Sequence, residues 1–456
     1  MTTAGTLSAA PPRTPTFAEA LRYWWKLGWI SFGGPAGQIA MMHHELVERR
    51  RWISEARFLH ALNYCMVLPG PEAQQLATYI GWLMHRTRGG IAAGALFVLP
   101  SLLVLIALSW VYMAYGNTPA VAALLYGVKP AVTAIVVHAA WRIGSRTLRS
   151  ASLWTVAALA FVAIYVFAAP FPAIIVAAGL IGAVGGRVAP SQFSGARAHP
   201  SDSSEHHPAV IDDDTPTPDH AKFRASRLAA VVGIGLLLWG ATLGALALVS
   251  GTAQTLAPMG WFFTKAALVT FGGAYAVLPY VVQGAVDTYG WLNPAQMIDG
   301  LALGETTPGP LIMVVAFVGF VGGWSAQWLG ADHAAAAGVV AACVATWFTF
   351  LPSFVFILAG GPLIESTHGQ LGFSAPLTAI TAAVVGVIVN LAVFFATHVF
   401  WPAGGGPALD GIAGVDWIAV AIAALAMIAL FRFRIGVIPV IAASACAGLL
   451  LRLAFQ

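Results

Sequence analysis

Apolar residues run along this chain in stretches of about 20, the length a helix needs to cross a bilayer. Polar residues gather in the short gaps between them. The first two stretches, 17–48 and 54–86, have a helical pattern but are interrupted, one at Gly33-Gly34-Pro35 and the other at Pro69-Gly70-Pro71. Uninterrupted apolar segments follow at 91–115, 119–141, 151–168 and 171–186. Residues 187–227 then hold Pro, Ser, His, Asp212-Asp213-Asp214 and five Lys/Arg, which reads as a hydrophilic, disordered linker. Segment 228–250 is apolar again. Two more interrupted segments, 258–287 and 294–326, precede apolar segments at 334–359, 374–399, 415–431 and 435–454. The pattern predicts an all-α polytopic membrane protein. Its expected parts are a disordered tail (1–16), a first repeat (17–186), the linker (187–227), a connecting transmembrane helix (228–250) and a second repeat (251–456).

The two repeats are copies. A shift of 239 positions lays Trp24–Pro71 on Phe263–Pro310 without a gap. Lys26 then falls on Lys265, Phe32-Gly33-Gly34 on Phe271-Gly272-Gly273, Trp52 on Trp291 and Pro69-Gly70-Pro71 on Pro308-Gly309-Pro310. These residues control backbone shape and charge, so shared greasiness does not account for the match. Leu99-Pro100-Ser101 is echoed by Leu351-Pro352-Ser353.

Charge sets an expected orientation. Lys and Arg in short loops mark the cytoplasmic side. The first half has Arg49-Arg50-Arg51, Arg86 with Arg88, and Arg142, Arg146 and Arg149 where the second has uncharged or acidic loops. The bias reverses only between the last two segments, where the second half has Arg432 and Arg434. From Ala266 to Phe431 there is no Lys or Arg. The unpaired segment 228–250 adds one crossing, which would turn the second half over. The expectation is therefore inverted repeats with a cytoplasmic N-terminus and linker, the interrupted segments either entering and returning as re-entrant hairpins or crossing in full as pairs, which gives the same signs.

Composition narrows the class further. The chain is 59% hydrophobic and 9% charged, with a mean hydropathy of +0.80, against about 25% charged residues in soluble domains. The net charge of +4 lies in loops and not on one face, so no nucleic-acid partner is expected. Cys65, Cys343 and Cys446 are far apart and suit core packing, not a metal or disulfide set. His206-His207 in the linker reads as solvated. No phosphate loop, zinc-protease motif or nucleophile elbow is present. No cofactor, no metal and no enzymatic activity are expected.

Repeats with Gly/Pro-interrupted segments at matching positions point to a transporter's binding site. Helix ends there offer free N–H groups and a positive dipole to an anion. The expected substrate-binding set is Lys26, Phe32, Gly33, Gly34, Pro69, Gly70, Pro71 and Gln74 from the first half. The second half adds Lys265, Phe271, Gly272, Gly273, Thr306, Thr307, Pro308, Gly309 and Pro310. Pro71 and Pro310 are expected in first helical turns. Gly70 and Gly309 would admit an anion or a neighbouring backbone. Lys26 and Lys265 are the one matched basic pair, as counter-charges or as snorkelling interface residues. Glu72 and Glu305 flank the two PGP turns and are the candidates for proton coupling.

At these residues the sequence resembles the chromate ion transporter family in its long, two-domain form. The resemblance rests on Phe32-Gly33-Gly34-Pro35, Leu68-Pro69-Gly70-Pro71-Glu72-Ala73 with Tyr79-Ile80-Gly81-Trp82, Phe271-Gly272-Gly273-Ala274, and Gly304–Pro310 with Phe317-Val318-Gly319-Phe320. It implies chromate efflux across the inner membrane and chromate resistance, with sulfate as a similar tetrahedral dianion. The residues alone reach only to an anion transporter, leaving another oxyanion, either direction, or an anion channel as alternatives. The lipid bilayer is the surrounding partner, and the sequence leaves room for a homo-oligomer.

Overall fold

A computed structural model describes residues 12–193, 208–213, 215–216, 218–249, 255–366, 374–402 and 411–454. Most of the N-terminal tail and His206-His207 lie outside them. The described residues contain no strand, only an isolated bridge between Ile53 and Ile211. The chain is an all-α polytopic membrane protein, with six described helices long and apolar enough to cross a bilayer.

The first half contains α1 (Phe17–Ile30), α2 (Gly34–His43), α3 (Glu55–Val67), α4 (Glu72–Tyr115), α5 (Pro119–Thr147), α6 (Ala151–Tyr165) and α7 (Phe171–Val188), followed by the single turn α8 (Pro190–Phe193). The connecting helix is α9 (Ala225–Val249). The second half contains α10 (Leu256–Leu268), α11 (Ala274–Val282), α12 (Pro294–Thr306), α13 (Val314–Ala326), α14 (Ala334–Ser366), α15 (Ser374–Phe400), α16 (Trp417–Phe431) and α17 (Val437–Ala454). Non-helical backbone at His85 and Arg86 divides α4 into arms 72–84 and 87–115. These arms correspond to α13 and α14.

The 239-residue offset holds at the level of local structure. A π-helical turn at His44–Arg49 recurs at Gln283–Thr288. Ser54 caps α3 through the Arg57 N–H, and Asn293 caps α12 through the Gln296 N–H at the equivalent position. Different residues perform the same cap there. The arms are short: α1 has 14 residues and α3 has 13, so each rises only about 20 Å. Neither crosses the ~30 Å apolar core alone, which fits paired arms that meet at a break.

The halves are entwined. α5 packs against α16 and α17 of the other half, while α15 packs against α6 and α7. Small residues make these crossings close, as expected where lipid supplies no hydrophobic drive between helices. A Cβ at Gly127 would meet Ser444 O and lie 2.8 Å from Gly448 N on α17. One at Gly182 would lie 2.7 Å from Ala379 Cβ on α15.

The linker departs from the disordered expectation wherever it is described. Residues 208–213 lie along the start of α3, with Val210 N–H donating to Arg51 O (3.0 Å) and Ser54 N–H to Ile211 O (2.9 Å). Ser54 Oγ donates to Asp213 at 2.5 Å. Ala209, Ile211 and Ala221 are buried: a few apolar anchors in a polar stretch dock it, and average composition hides them. Arg57 joins the linker to both halves. It donates to Thr215 O (2.8 Å) and pairs with Glu365 of α14 (2.6 Å), whose other oxygen accepts from Tyr79.

Gly127→Leu should lower the unfolding midpoint in detergent by an amount equivalent to about 1–3 kcal/mol of overpacking. Gly240→Leu on α9, where an added Cβ meets nothing within 4 Å, should leave it unchanged. Equal midpoints for the two variants would contradict the close crossing of α5 and α17.

Candidate functional site: two cavities at the helix breaks

The two kinds of break do different things. At PGP, Gly70 (φ 125°) and Gly309 (φ 100°) occupy the left-handed region that favours glycine. Gly70 N–H donates to Thr270 O of the second half at 2.7 Å, and Gly309 N–H donates to Ser31 O of the first at 2.8 Å. Thr270 and Ser31 are themselves 239 residues apart, so the contact is reciprocal. A Cβ at Gly70 would meet Ser353 Oγ, and one at Gly309 would lie 2.6 Å from Ser101 Cβ. The echoed Leu-Pro-Ser sequences therefore supply the floor on which the opposite PGP turn rests.

This changes the expected role of several residues. The Gly70 and Gly309 amides hold a neighbouring backbone, so they are not open to an anion. Thr306 and Thr307 donate their hydroxyls to Leu303 O and Gly304 O. Gln74 donates to Thr78 Oγ1 at 3.0 Å. Pro71 and Pro310 stand at the N-cap, one position before the helical turn. Pro69 and Pro308 flank the clasp. Lys26 is exposed beside Trp25 and Trp29 on α1, and Lys265 lies 6.0 Å from the Trp261 ring. Neither lysine lines a cavity.

The FGG breaks are open. Gly33, Gly34, Gly272 and Gly273 also have positive φ, yet added Cβ atoms at Gly33 and Gly34 would meet nothing within 4 Å. Each break lines its own cavity. The larger, about 770 Å³, holds Phe271, Gly272 and Gly273 together with Glu72 from the other half. The smaller, about 370 Å³, holds Phe32, Gly33 and Gly34 together with Glu305 from the other half. Each cavity thus pairs one half's FGG with the other half's glutamate. Glu305 accepts a hydrogen bond from Tyr275.

Arg142 and Tyr275 line both cavities. Arg146, one turn further along α5, and Arg149, just past the end of that helix, also line the larger one. Among the described residues the Arg142 guanidinium makes no hydrogen bond or ion pair, and Glu72 is the one carboxylate on the larger cavity's wall. In the smaller cavity Arg142 faces Glu305, whose charge balances it in part; on the larger cavity's side a guanidinium beside low-dielectric walls attracts anions, and its planar fork matches an oxyanion's oxygens. Sequence reading used these arginines only as markers of the cytoplasmic side. The spacing of four between Arg142 and Arg146 was the unused signal, because it puts both on one face of α5.

A duplicated all-α membrane protein whose broken helices border arginine-lined cavities has the build of a transporter. The chain belongs to the chromate transporter family. A family profile described as "Chromate transporter" matches twice, at residues 18–183 and 257–449. The chromate transport protein of Pseudomonas aeruginosa is 34% identical over 393 residues, 85% of this chain and 82% of that protein. The chromate transport protein of Cupriavidus metallidurans is 30% identical over 398 residues, 87% of this chain and 86% of that protein. YwrB, a transporter of Bacillus subtilis, is 27% identical over 141 residues; that is 31% of this chain but 71% of YwrB. No solved structure matches the chain significantly.

Gly309→Val adds a branched side chain at positive φ against Ser101, a strain of order 1–3 kcal/mol. It should abolish chromate flux in vesicles while the protein still reaches the membrane. Wild-type flux in this variant would remove the reciprocal clasp from the working structure.

Proposed function

We propose that this protein exports chromate from the cytoplasm across the inner membrane and so confers chromate resistance. The observation that carries the reading is Arg142, a guanidinium with no hydrogen bond or ion pair among the described residues that borders both FGG cavities. Two relatives matched over most of their length are named chromate transport proteins, and this chain takes the same cargo by that likeness. In this reading the anion enters along Arg149 and Arg146, reaches Arg142, and lodges against the open backbone at Gly33-Gly34 and Gly272-Gly273. Phe32 and Phe271 wall the site. The PGP residues, with Gln74, Thr306 and Thr307, hold its frame. Lys26 and Lys265 contribute positive potential at the membrane surface. Glu72 and Glu305, one per cavity, take up a proton when the dianion arrives, which relieves the repulsion between like charges.

The halves run in opposite directions across the bilayer, with the N-terminus and linker cytoplasmic. The charge bias of the loops and the additional spanning helix α9 support this. Arg142 and Arg146 near the end of α5 and Arg149 just beyond it mark the basic side, so the larger cavity faces the cytoplasm. Export then needs no nucleotide: a dianion leaving a cell held 100 mV negative gains roughly 4.6 kcal/mol. Sulfate, with the same charge and shape, is the competing cargo.

The test is uptake of labelled chromate and labelled sulfate into everted vesicles. Saturable chromate accumulation with weaker sulfate uptake is expected, and unsaturable current would indicate a channel instead. Arg142→Gln should reduce chromate flux at least about tenfold, since a lost charge-assisted hydrogen bond is worth about 1.5–3 kcal/mol. Arg142→Lys should recover part of it. Unimpaired flux in Arg142→Gln would overturn the assigned path.

A further inference from the structure

A second charged cluster lies away from both cavities. Asp299 on α12 is 2% exposed. Its Oδ2 accepts from the Tyr112 hydroxyl of α4 at 3.0 Å and lies 3.4 Å from Lys129 Nζ of α5. Its Oδ1 is buried without any hydrogen-bond partner. Ser109, one turn before Tyr112 on α4, also has a buried hydroxyl without a partner. A carboxylate inside a membrane span is costly, and it persists where it has work to do.

The elements joined here differ in kind. Lys129 is fixed, because Gly127 beside it crosses α17 at the closest approach on α5. Asp299 stands on the helix that leads through Glu305 into the second PGP turn. The Lys129–Asp299 pair therefore spans from the rigid packing of α5 and α17 to the helix that bears the break.

We propose that Asp299 binds a further coupling proton of the transport cycle, at Oδ1, beyond those taken by Glu72 and Glu305. This deepens the transport reading and rests on it. Protonation there cancels the carboxylate, weakens its hold on Lys129 and frees α12 from α5; loss of the proton restores the pair. Oδ1 is the acceptor because Oδ2 already has two partners. The surroundings isolate the site. Of the elements against α12, α4 contributes Tyr112 and α5 contributes Lys129. The turn Leu311–Met313 and α13 have no titratable side chain. On α15 the titratable group is His398, which faces Asp287. On α17, Arg452 faces Tyr126, and Cys446 is exposed. On α12 itself, Glu305 is engaged by Tyr275. Glu72 and Glu305 take protons at the cavity walls, where the anion sits, whereas Asp299 responds without touching it.

The experiment uses the full chain in proteoliposomes loaded with chromate. It measures chromate–chromate exchange at equal pH and net accumulation across a one-unit pH gradient. For the wild type, the gradient should change accumulation about tenfold per proton coupled. Asp299→Asn should keep exchange within about twofold and cut the gradient response about tenfold, one proton's share, since an amide of the same shape cannot take that proton. Should Asn beside an unpaired Lys129 prevent insertion, Lys129→Met with Asp299→Asn removes both charges and should behave the same way. An unchanged gradient response in either variant overturns the assignment. So does a wild type that exchanges chromate but ignores the gradient. Absence of wild-type exchange would instead count against the transport reading itself.

Discussion

The architecture depends on one pair of hydrogen bonds. Gly70 N–H to Thr270 O and Gly309 N–H to Ser31 O join each half's PGP turn to the other half's FGG break. In an apolar medium, backbone groups freed at a helix break must find partners within the protein. Here each break supplies what the other lacks: the PGP turn brings an N–H, and the end of the broken first helix brings a carbonyl. Neither half can satisfy its own break in this way. The duplication is therefore a condition of the fold, and the glycines are needed because a Cβ would collide with Ser353 or Ser101.

With PGP committed to structure, FGG is the break whose backbone stays open. Its four glycines keep backbone exposed in two cavities, and the walls combine opposite halves: FGG from one, glutamate from the other. A cation is then required if an anion is to enter an apolar interior. The second half has no Lys or Arg between Ala266 and Phe431. The charge comes from α5 of the first half alone, which makes a nearly symmetric frame electrically asymmetric.

The same shortage explains the buried ion pairs. Asp299 lies in the cation-free stretch and must reach across to Lys129; Glu365 lies there too and reaches Arg57. Each pair joins the halves. Removing one partner from a buried pair costs more than the pair contributes, so these contacts specify how the halves sit together more than they stabilise them.

Much of this was written in the order of residues. Apolar run lengths set the helical segments, and the 239-residue offset set the duplication, because Gly, Pro and Trp impose local geometry that survives any context. The offset carried through to the π-helical turns and helix caps, even where Ser54 and Asn293 differ. What linear order could not decide was which break faced the other half and which faced open space, since both motifs offer glycine amides of the same chemistry. That choice depends on distances between residues more than 200 positions apart. Likewise Arg142, Arg146 and Arg149 read as loop charges in the chain and become a cavity wall only when α5 packs between the halves. Asp299 and Lys129 each look like an isolated polar residue in an apolar run. Tertiary packing makes them a pair, because in a low-dielectric interior each needs the other's charge.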